Sequence, residues 1–73
     1  MRRVLMPDGT NWRADLTGMM VATDGYQTRL IKFVSDNGTK TRNGRFVAKL
    51  EDVSDDELVK MWSEAEEFGP PSD

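Results

Sequence analysis

The clearest structural signal in the chain is VSDDELVKMWSEAEEFGPP, residues 53–71. Ser54 is placed to cap the amino end of a helix, and Glu57, three residues later, completes the pattern of a capping box. Val53 and Leu58 occupy the two positions that form a hydrophobic staple at a helix start. The acidic residues that follow Ser54 also suit the positive end of the helix dipole. These signals agree, and they predict a helix that begins at Asp55.

The helix is predicted to span residues 55–68 and to be apolar on one side. Gly69 suits the left-handed cap at a helix end, and the prolines at positions 70 and 71 cannot continue a helix. One helix with one apolar face needs another apolar surface to cover, and the earlier chain has to supply it. The residues after Phe68 are expected to form a disordered tail. The residues predicted to share the apolar face are Leu58, Met61, Trp62, Ala65 and Phe68.

The earlier chain has the pattern of short strands separated by turns. Asp24-Gly25 is one of the strongest two-residue hairpin signals, because both residues tolerate the positive φ of a tight turn. The other turns are predicted at Pro7-Asp8-Gly9, Asp36-Asn37-Gly38 and Asn43-Gly44. The predicted strands are residues 3–6, 18–23, 26–34, 39–42 and 45–50, and residues 10–14 could continue as a further short strand.

Side-chain alternation predicts which residues of these strands face the core. In strand 26–34, Leu30 and Val34 face one side while Ile31 and Phe33 face the other, as in a central strand. In strand 45–50, the residues predicted to face inward are Phe46, Ala48 and Leu50, and those predicted to face outward are Arg45, Val47 and Lys49. The sequence therefore predicts an α+β fold, one domain over residues 1–68, with a small antiparallel β meander of four to five strands and one C-terminal helix.

The composition argues against an enzyme. The 73 residues include neither cysteine nor histidine, which removes disulfides, the commonest general base and the commonest transition-metal ligand. The glycines occur singly, so no phosphate-binding loop is predicted. Asp52, Ser54 and Asp56 have the spacing of the first ligands of a calcium loop, but Glu57 and Ser63 replace its glycine and its bidentate glutamate. No catalytic residue, metal ligand or cofactor is predicted.

The amino end is basic, but the apolar run after it is only three residues long. That run is too short for the core of a signal peptide. No secretion signal and no membrane span are therefore expected, and the absence of cysteine fits a reducing cytoplasm.

Charge is divided unevenly along the chain. Residues 1–50 hold nine basic and four acidic residues, a balance of +5, and residues 51–73 hold one basic and nine acidic residues, a balance of −8. One interpretation is that two electrically distinct surfaces meet different partners. The alternative is that a basic sheet and an acidic helix attract each other within the fold.

The predicted second hairpin is a candidate nucleic-acid surface. Cations on or beside it could follow a phosphate backbone, and rings interleaved with them could stack on bases. The same rings also occupy positions that a core requires, and the nine carboxylates of residues 51–73 would repel a polyanion. The residues concerned are Lys40, Arg42, Arg45 and Lys49, with Arg29, Lys32, Tyr26, Phe33 and Phe46.

Two kinds of segment could bind another protein. Val4-Leu5-Met6 and Met19-Met20 are apolar and close to expected sheet edges, where strand addition captures extended segments. The acidic residues around the helix start could dock on a basic surface. In both cases a structural role, in the core or at the helix cap, accounts for the same residues.

The whole chain, with MRRVLMPDG at residues 1–9 and an acidic C-terminal helix, resembles the small bacteriophage-encoded regulators of host RNA polymerase, the transcription inhibitors and antiterminators known from a Xanthomonas phage. The resemblance covers all 73 residues but includes no family motif. It implies a non-enzymatic, monomeric protein of the host bacterial cytoplasm. That protein would bind the amino-terminal region of the polymerase β′ subunit near the RNA exit channel. It would displace sigma to inhibit initiation and would promote antitermination, with NusA and nascent RNA as further partners.

The residues suggest how such a role would be divided over the surface. The candidate polymerase-binding residues are Arg3, Val4, Leu5, Met6, Asp55 and Asp56, and the candidate RNA-facing residues are Lys40, Arg42, Arg45 and Lys49. Two other classes of protein stay open. One is a nucleic-acid-binding module that acts alone through a basic hairpin, and the other is an inhibitory interaction domain with a different target.

Overall fold

The computed structural model describes residues 2–71, apart from the side chain of Thr23, and confirms the predicted α+β fold. Its five strands form one antiparallel sheet in which the strand order follows the chain order. One α-helix lies between the fourth and fifth strands. The elements are β1 (Arg2–Leu5), β2 (Asn11–Thr23), β3 (Tyr26–Ser35), β4 (Thr41–Val47), a 3₁₀ turn (Leu50–Asp52), α1 (Asp55–Glu64) and β5 (Glu67–Phe68).

The start of α1 lies where the sequence predicts it. Ser54 has extended backbone angles, and its hydroxyl accepts a hydrogen bond from the Glu57 backbone N–H at 3.2 Å. Val53 and Leu58 are both buried, as residues of a hydrophobic staple should be. The cap and the staple together fix the angle at which the chain enters the helix.

The helix ends at Glu64, so the prediction that it continues to Phe68 is wrong. Ala65 adopts an extended conformation at φ −84° and ψ 148°. Glu67 and Phe68 then pair with Arg42 and Thr41 as β5, a two-residue edge strand. Pairing with the free edge of β4 gives the backbone groups of Glu67 and Phe68 the hydrogen bonds that a further helical turn would otherwise have given them. Local sequence patterns cannot show whether the helix or the strand is the more stable of these two alternatives.

The core lies between α1 and one face of the sheet. Ala14 and Phe33 are paired across β2 and β3, and both are fully buried. Trp12 meets Trp62 of α1 edge to face, with ring centroids 5.6 Å apart and an interplanar angle of 68°. This arrangement is the favoured one for two aromatic rings. The other buried apolar residues are Val4, Met6, Ile31, Leu50, Val53, Leu58 and Met61.

The β2–β3 hairpin turns at Asp24-Gly25, as predicted, with φ angles of 51° and 82°. The two short strands predicted before it are one strand of 13 residues, β2, whose register shifts between Leu16 and Met20. β1 pairs with β2 only at residues 11–14, and β4 pairs with β3 only as far as Arg29. Residues 18–28, named the arm below, are therefore a two-stranded ribbon outside the core.

The hairpin predicted at Asn43-Gly44 is wrong, because both residues lie inside β4. The separate turn predicted at Asp36-Asn37-Gly38 is confirmed, and there Gly38 has a φ of 72°. The predicted facing of residues 46 and 47 is also reversed, since Phe46 is exposed while Val47 packs on the core. The cause is an irregularity opposite Ile31 that adds one residue to β4 and changes the alternation after it.

Gly44 sits where β4 passes closest to the core. A Cβ at this position would lie 3.1 Å from Phe33 Cε2, 3.2 Å from Ile31 Cβ and 3.3 Å from Met61 Sδ. We therefore expect Gly44→Val to lower the free energy of unfolding by about 1–3 kcal/mol, the usual cost of overpacking. Urea unfolding measures this change in the free energy of unfolding. Gly18→Val is the matched control, because a Cβ at position 18 meets no atom within 4 Å. Equal stability of the two variants would contradict the packing argument.

The turn between β1 and β2 is held by a short relay of hydrogen bonds. The indole N–H of Trp12 donates to the Thr10 hydroxyl at 2.9 Å, and that hydroxyl donates to the Asp8 carboxylate. The Thr10 backbone N–H also donates to the same carboxylate oxygen, at 3.0 Å. The side-chain hydrogen bond and then the backbone one lower the pKa of Asp8 below its ordinary value of 3.8.

The lowered pKa of Asp8 makes a pH-dependent contribution to stability. Because the folded pKa lies below the unfolded one, the contribution is present above about pH 3.8 and is lost as pH falls through the folded pKa. We expect an NMR titration of the Asp8 carboxyl to give a pKa below 3.8, and Thr10→Val to raise that pKa by removing the hydroxyl donor. Thr10→Ser, which keeps the hydroxyl, is the control. An unchanged pKa in Thr10→Val would show that the hydroxyl is not the cause.

Candidate functional site

Arg42, one of the candidate RNA-facing residues, is directed into the fold. Its guanidinium carbon lies 4.1 Å from the ring centroid of Trp62 and 5.7 Å from that of Trp12. Its Nη1 donates to the Trp62 carbonyl at 2.7 Å, and its Nη2 donates to Glu67 at 3.2 Å. Only 18% of the side chain is exposed. The position follows from the register, which pairs Arg42 with the buried Phe33 on the core side of the sheet.

Lys40 and Arg45 are exposed but lie beside acidic residues. The Lys40 ammonium is 3.9 Å from Glu67, and the Arg45 guanidinium is 3.8 Å from Glu64. At these distances and exposures, each pair contributes at most about 1 kcal/mol to stability. Together with Arg42, they place the basic strand β4 against the acidic end of the chain. The interpretation that the two charged halves attract each other within the fold therefore accounts for these three cations.

Arg2 ties β1 to the start of the helix. Its Nη1 donates to the Leu50 carbonyl at 3.1 Å and to the Val53 carbonyl, and its Nη2 contacts the Asp55 carboxylate. Asp55, a candidate polymerase-binding residue, thus forms an ion pair within the fold although its side chain is 71% exposed, and Asp56 is exposed as well.

The first strand offers only part of the surface that the sequence suggests. Val4 and Met6 are 3% and 2% exposed, so in this fold neither is accessible to a partner. Leu5 is 65% exposed, and Arg3 is exposed with its guanidinium 3.6 Å from Asp36. The candidate polymerase-binding residues of β1 are therefore reduced to Arg3 and Leu5.

The arm carries the apolar surface that the core does not absorb. Met19 and Tyr26 are 60% and 69% exposed, and Met20 and Val21 are more than two-fifths exposed. Residues 18–28 include a single charged residue, Asp24 at the tip of the hairpin. The sequence predicts Met19 and Met20 as apolar anchors for a partner protein, whereas it suggests Tyr26 only as a ring that could stack on a base. The signal for the whole surface is the nearly uncharged run from Gly18 to Thr28.

Two of the cations outside these ion pairs, Arg29 and Lys49, line one cleft. Arg29 follows the arm on β3, Lys49 follows β4, and both are exposed. The cleft lies between the base of the arm and the chain leading into the 3₁₀ turn. Of the four candidate RNA-facing residues, Lys49 alone lies here, and the structure adds Arg29 to it.

No protein family, no curated protein and no solved structure matches the chain. Its fold class is a small α+β domain whose described residues form one antiparallel meander and one α-helix. Within residues 2–71, no helix has the length and apolar character needed to cross a membrane.

Substituting Arg42 tests how much this cation of β4 contributes to the stability of the fold. We expect Arg42→Lys to lower the free energy of unfolding by about 1–3 kcal/mol, because lysine lacks the planar fork that stacks on Trp62 and donates two hydrogen bonds at once. Urea unfolding followed by tryptophan fluorescence measures the change. Arg45→Lys, at an exposed position of the same strand, should stay within about 0.5 kcal/mol of the wild type. Equal losses in both variants would show that the stack contributes no special stability.

Proposed function

We propose that this protein is a non-enzymatic regulator of bacterial RNA polymerase that acts by binding in the host cytoplasm. Its target would be the amino-terminal region of the β′ subunit near the RNA exit channel. Binding there would inhibit initiation by displacing sigma and would promote antitermination. The choice of polymerase is supported by the resemblance of the whole chain to phage regulators of that enzyme. A binding role is supported by the exposed, nearly uncharged arm.

The arm has the chemistry of a protein contact. Met and Tyr are enriched in the centres of protein interfaces, where charged residues are depleted. Burying one large apolar side chain from water contributes about 1.5–3 kcal/mol. The exposed apolar side chains of the arm could therefore contribute several kcal/mol to the binding of a partner. A ribbon with one charge offers a phosphate backbone nothing to pair with, so a protein is the better partner for it.

The arm also has unpaired strand edges. β1 reaches only residues 11–14 of β2, so the edge of β2 beyond them does not pair with β1. A partner strand could add there by main-chain hydrogen bonds while its side chains contact Met19 or Met20. We therefore assign the main polymerase contact to the arm, with Arg3 and Leu5 of β1 as the alternative surface.

The test compares variants of the arm with a variant of β1. The protein is mixed with bacterial core RNA polymerase and run on size-exclusion chromatography, and its affinity is then measured with a fluorescent label. We expect the double substitution Met19→Thr with Tyr26→Thr to weaken binding by about tenfold or more, since hot-spot side chains dominate interface energy. Threonine keeps the strand preference of the arm. Leu5→Thr, at an equally exposed position on β1, is the control.

The outcomes separate the proposal from its rivals. Loss of binding and of read-through at a terminator in the arm variant, but not in Leu5→Thr, supports the arm as the contact. The reverse result moves the contact to β1 while keeping the function. If the wild-type protein does not bind the polymerase, the proposed function is wrong.

A further inference from the structure

The cleft at the base of the arm is lined by three basic, three apolar and two acidic residues and has a volume of about 500 Å³. It opens where the β2–β3 hairpin leaves the part of the sheet that is covered by the helix. Its chemistry differs from that of the arm, because cations rather than apolar side chains are exposed there. The basic residues are Arg2, Arg29 and Lys49, and the apolar residues are Leu16, Ala48 and Leu50.

The fold brings the two exposed cations to the same cleft for a simple reason. Arg29 lies directly opposite Val47 in the β3–β4 pairing, and Lys49 follows Val47 by two residues. Arg2 fixes the wall that carries Lys49, because its guanidinium donates to the Leu50 carbonyl. The two cations are therefore held near each other by the sheet and by an anchored segment, not by a mobile tail.

Arg29 and Lys49 differ from the cations of β4 and of the turn before it. Lys40, Arg42 and Arg45 each have a carboxylate within 4 Å. Within residues 2–71, neither Arg29 nor Lys49 forms such an ion pair. Two cations that line the same cleft repel each other, and an anion bound between them would offset that repulsion.

The cleft limits which anion fits. Asp15 and Glu51 also line it and would repel a large polyanion spread across the whole cleft. A compact anion that contacts Arg29 and Lys49 would meet this repulsion least. A phosphate group matches the two donors, because the guanidinium can bind two oxygens in parallel and the ammonium supplies a point charge. The neighbouring Leu16 and Leu50 exclude some water and strengthen both contacts.

We propose that this cleft is a phosphate-binding site in which Arg29 and Lys49 hold the phosphate oxygens. The phosphate could belong to a small phosphate ester or to the backbone of a single-stranded nucleic acid, and the chemistry of the contact is the same. The site is independent of the polymerase contact assigned to the arm. It shares only Lys49 with the candidate RNA-facing set, since Arg42 stacks on Trp62 with 18% of its side chain exposed and Lys40 and Arg45 are paired with carboxylates.

The first experiment locates the site. The ¹⁵N-labelled protein is titrated with inorganic phosphate, with chloride at equal ionic strength as the reference, and separately with a single-stranded oligouridylate. We expect phosphate-specific shifts of the backbone amides of Arg29, Ala48, Lys49 and Leu50. Similar affinity per phosphate for both ligands identifies a site for a single phosphate, and tighter binding of the oligonucleotide identifies a backbone site. No phosphate-specific shift with either ligand, or shifts confined to other residues, would overturn the proposal.

The second experiment assigns the cations with two charge-matched variants. Arg29→Gln with Lys49→Gln removes the cleft cations, and Arg45→Gln with Lys40→Gln removes the same residue types from β4 and the turn before it. We expect phosphate affinity to fall by about tenfold or more in the first variant and to change by less than about twofold in the second. Urea unfolding confirms that both variants fold. Equal losses in the two variants would show general charge attraction and no site.

Discussion

The guanidinium of Arg42 lies on the ring of Trp62, 4.1 Å from its centroid, and donates a hydrogen bond to the carbonyl of the same residue. Through its other nitrogen it reaches Glu67. One side chain therefore connects β4, α1 and β5, which are the three elements that close the core at one end. Trp62 also receives the edge of Trp12, so the stack extends from the helix to the second strand. A largely buried cation is costly unless it is paired and hydrogen-bonded, and here the ring, the carbonyl and the carboxylate supply those contacts, while Nε has no hydrogen-bond partner.

The charge division of the sequence is largely resolved inside the molecule. Arg2 meets Asp55 at the start of the helix, and Arg42 and Arg45 meet acidic residues at its end or just beyond it. These contacts use the basic half of the chain to hold the acidic half in place. Two exposed surfaces take no part in these contacts. Residues 18–28 carry almost no charge, and the cleft beside them carries two cations outside the ion pairs described. The protein thus presents two neighbouring surfaces with different chemistries.

Such a division would suit the proposed regulator. An apolar ribbon can dock on a protein, and a compact cationic cleft beside it can hold a phosphate without the steep salt dependence of an extended basic surface. The two sites share β3, since Tyr26 belongs to the arm and Arg29 lines the cleft.

The sequence alone determined the features that depend on neighbouring residues. The start of the helix followed from Ser54 and Glu57, and the β2–β3 turn followed from Asp24-Gly25, because caps and tight turns are specified by residues two or three positions apart. The α+β class followed from one amphipathic helix after a series of strands and turns. Of the candidate site residues, Arg45 and Lys49 are predicted by side-chain alternation to face outward, and both are exposed.

Only the tertiary structure decided the rest. The helix ends at Glu64 because β5 pairs with the edge of β4, and Val47 faces the core because one extra residue in β4 reverses the alternation after Gly44. The same register turns Arg42 inward to Trp62 and places Arg29 beside the chain that carries Lys49. These outcomes depend on pairing between segments distant in the chain, and no local pattern contains that information.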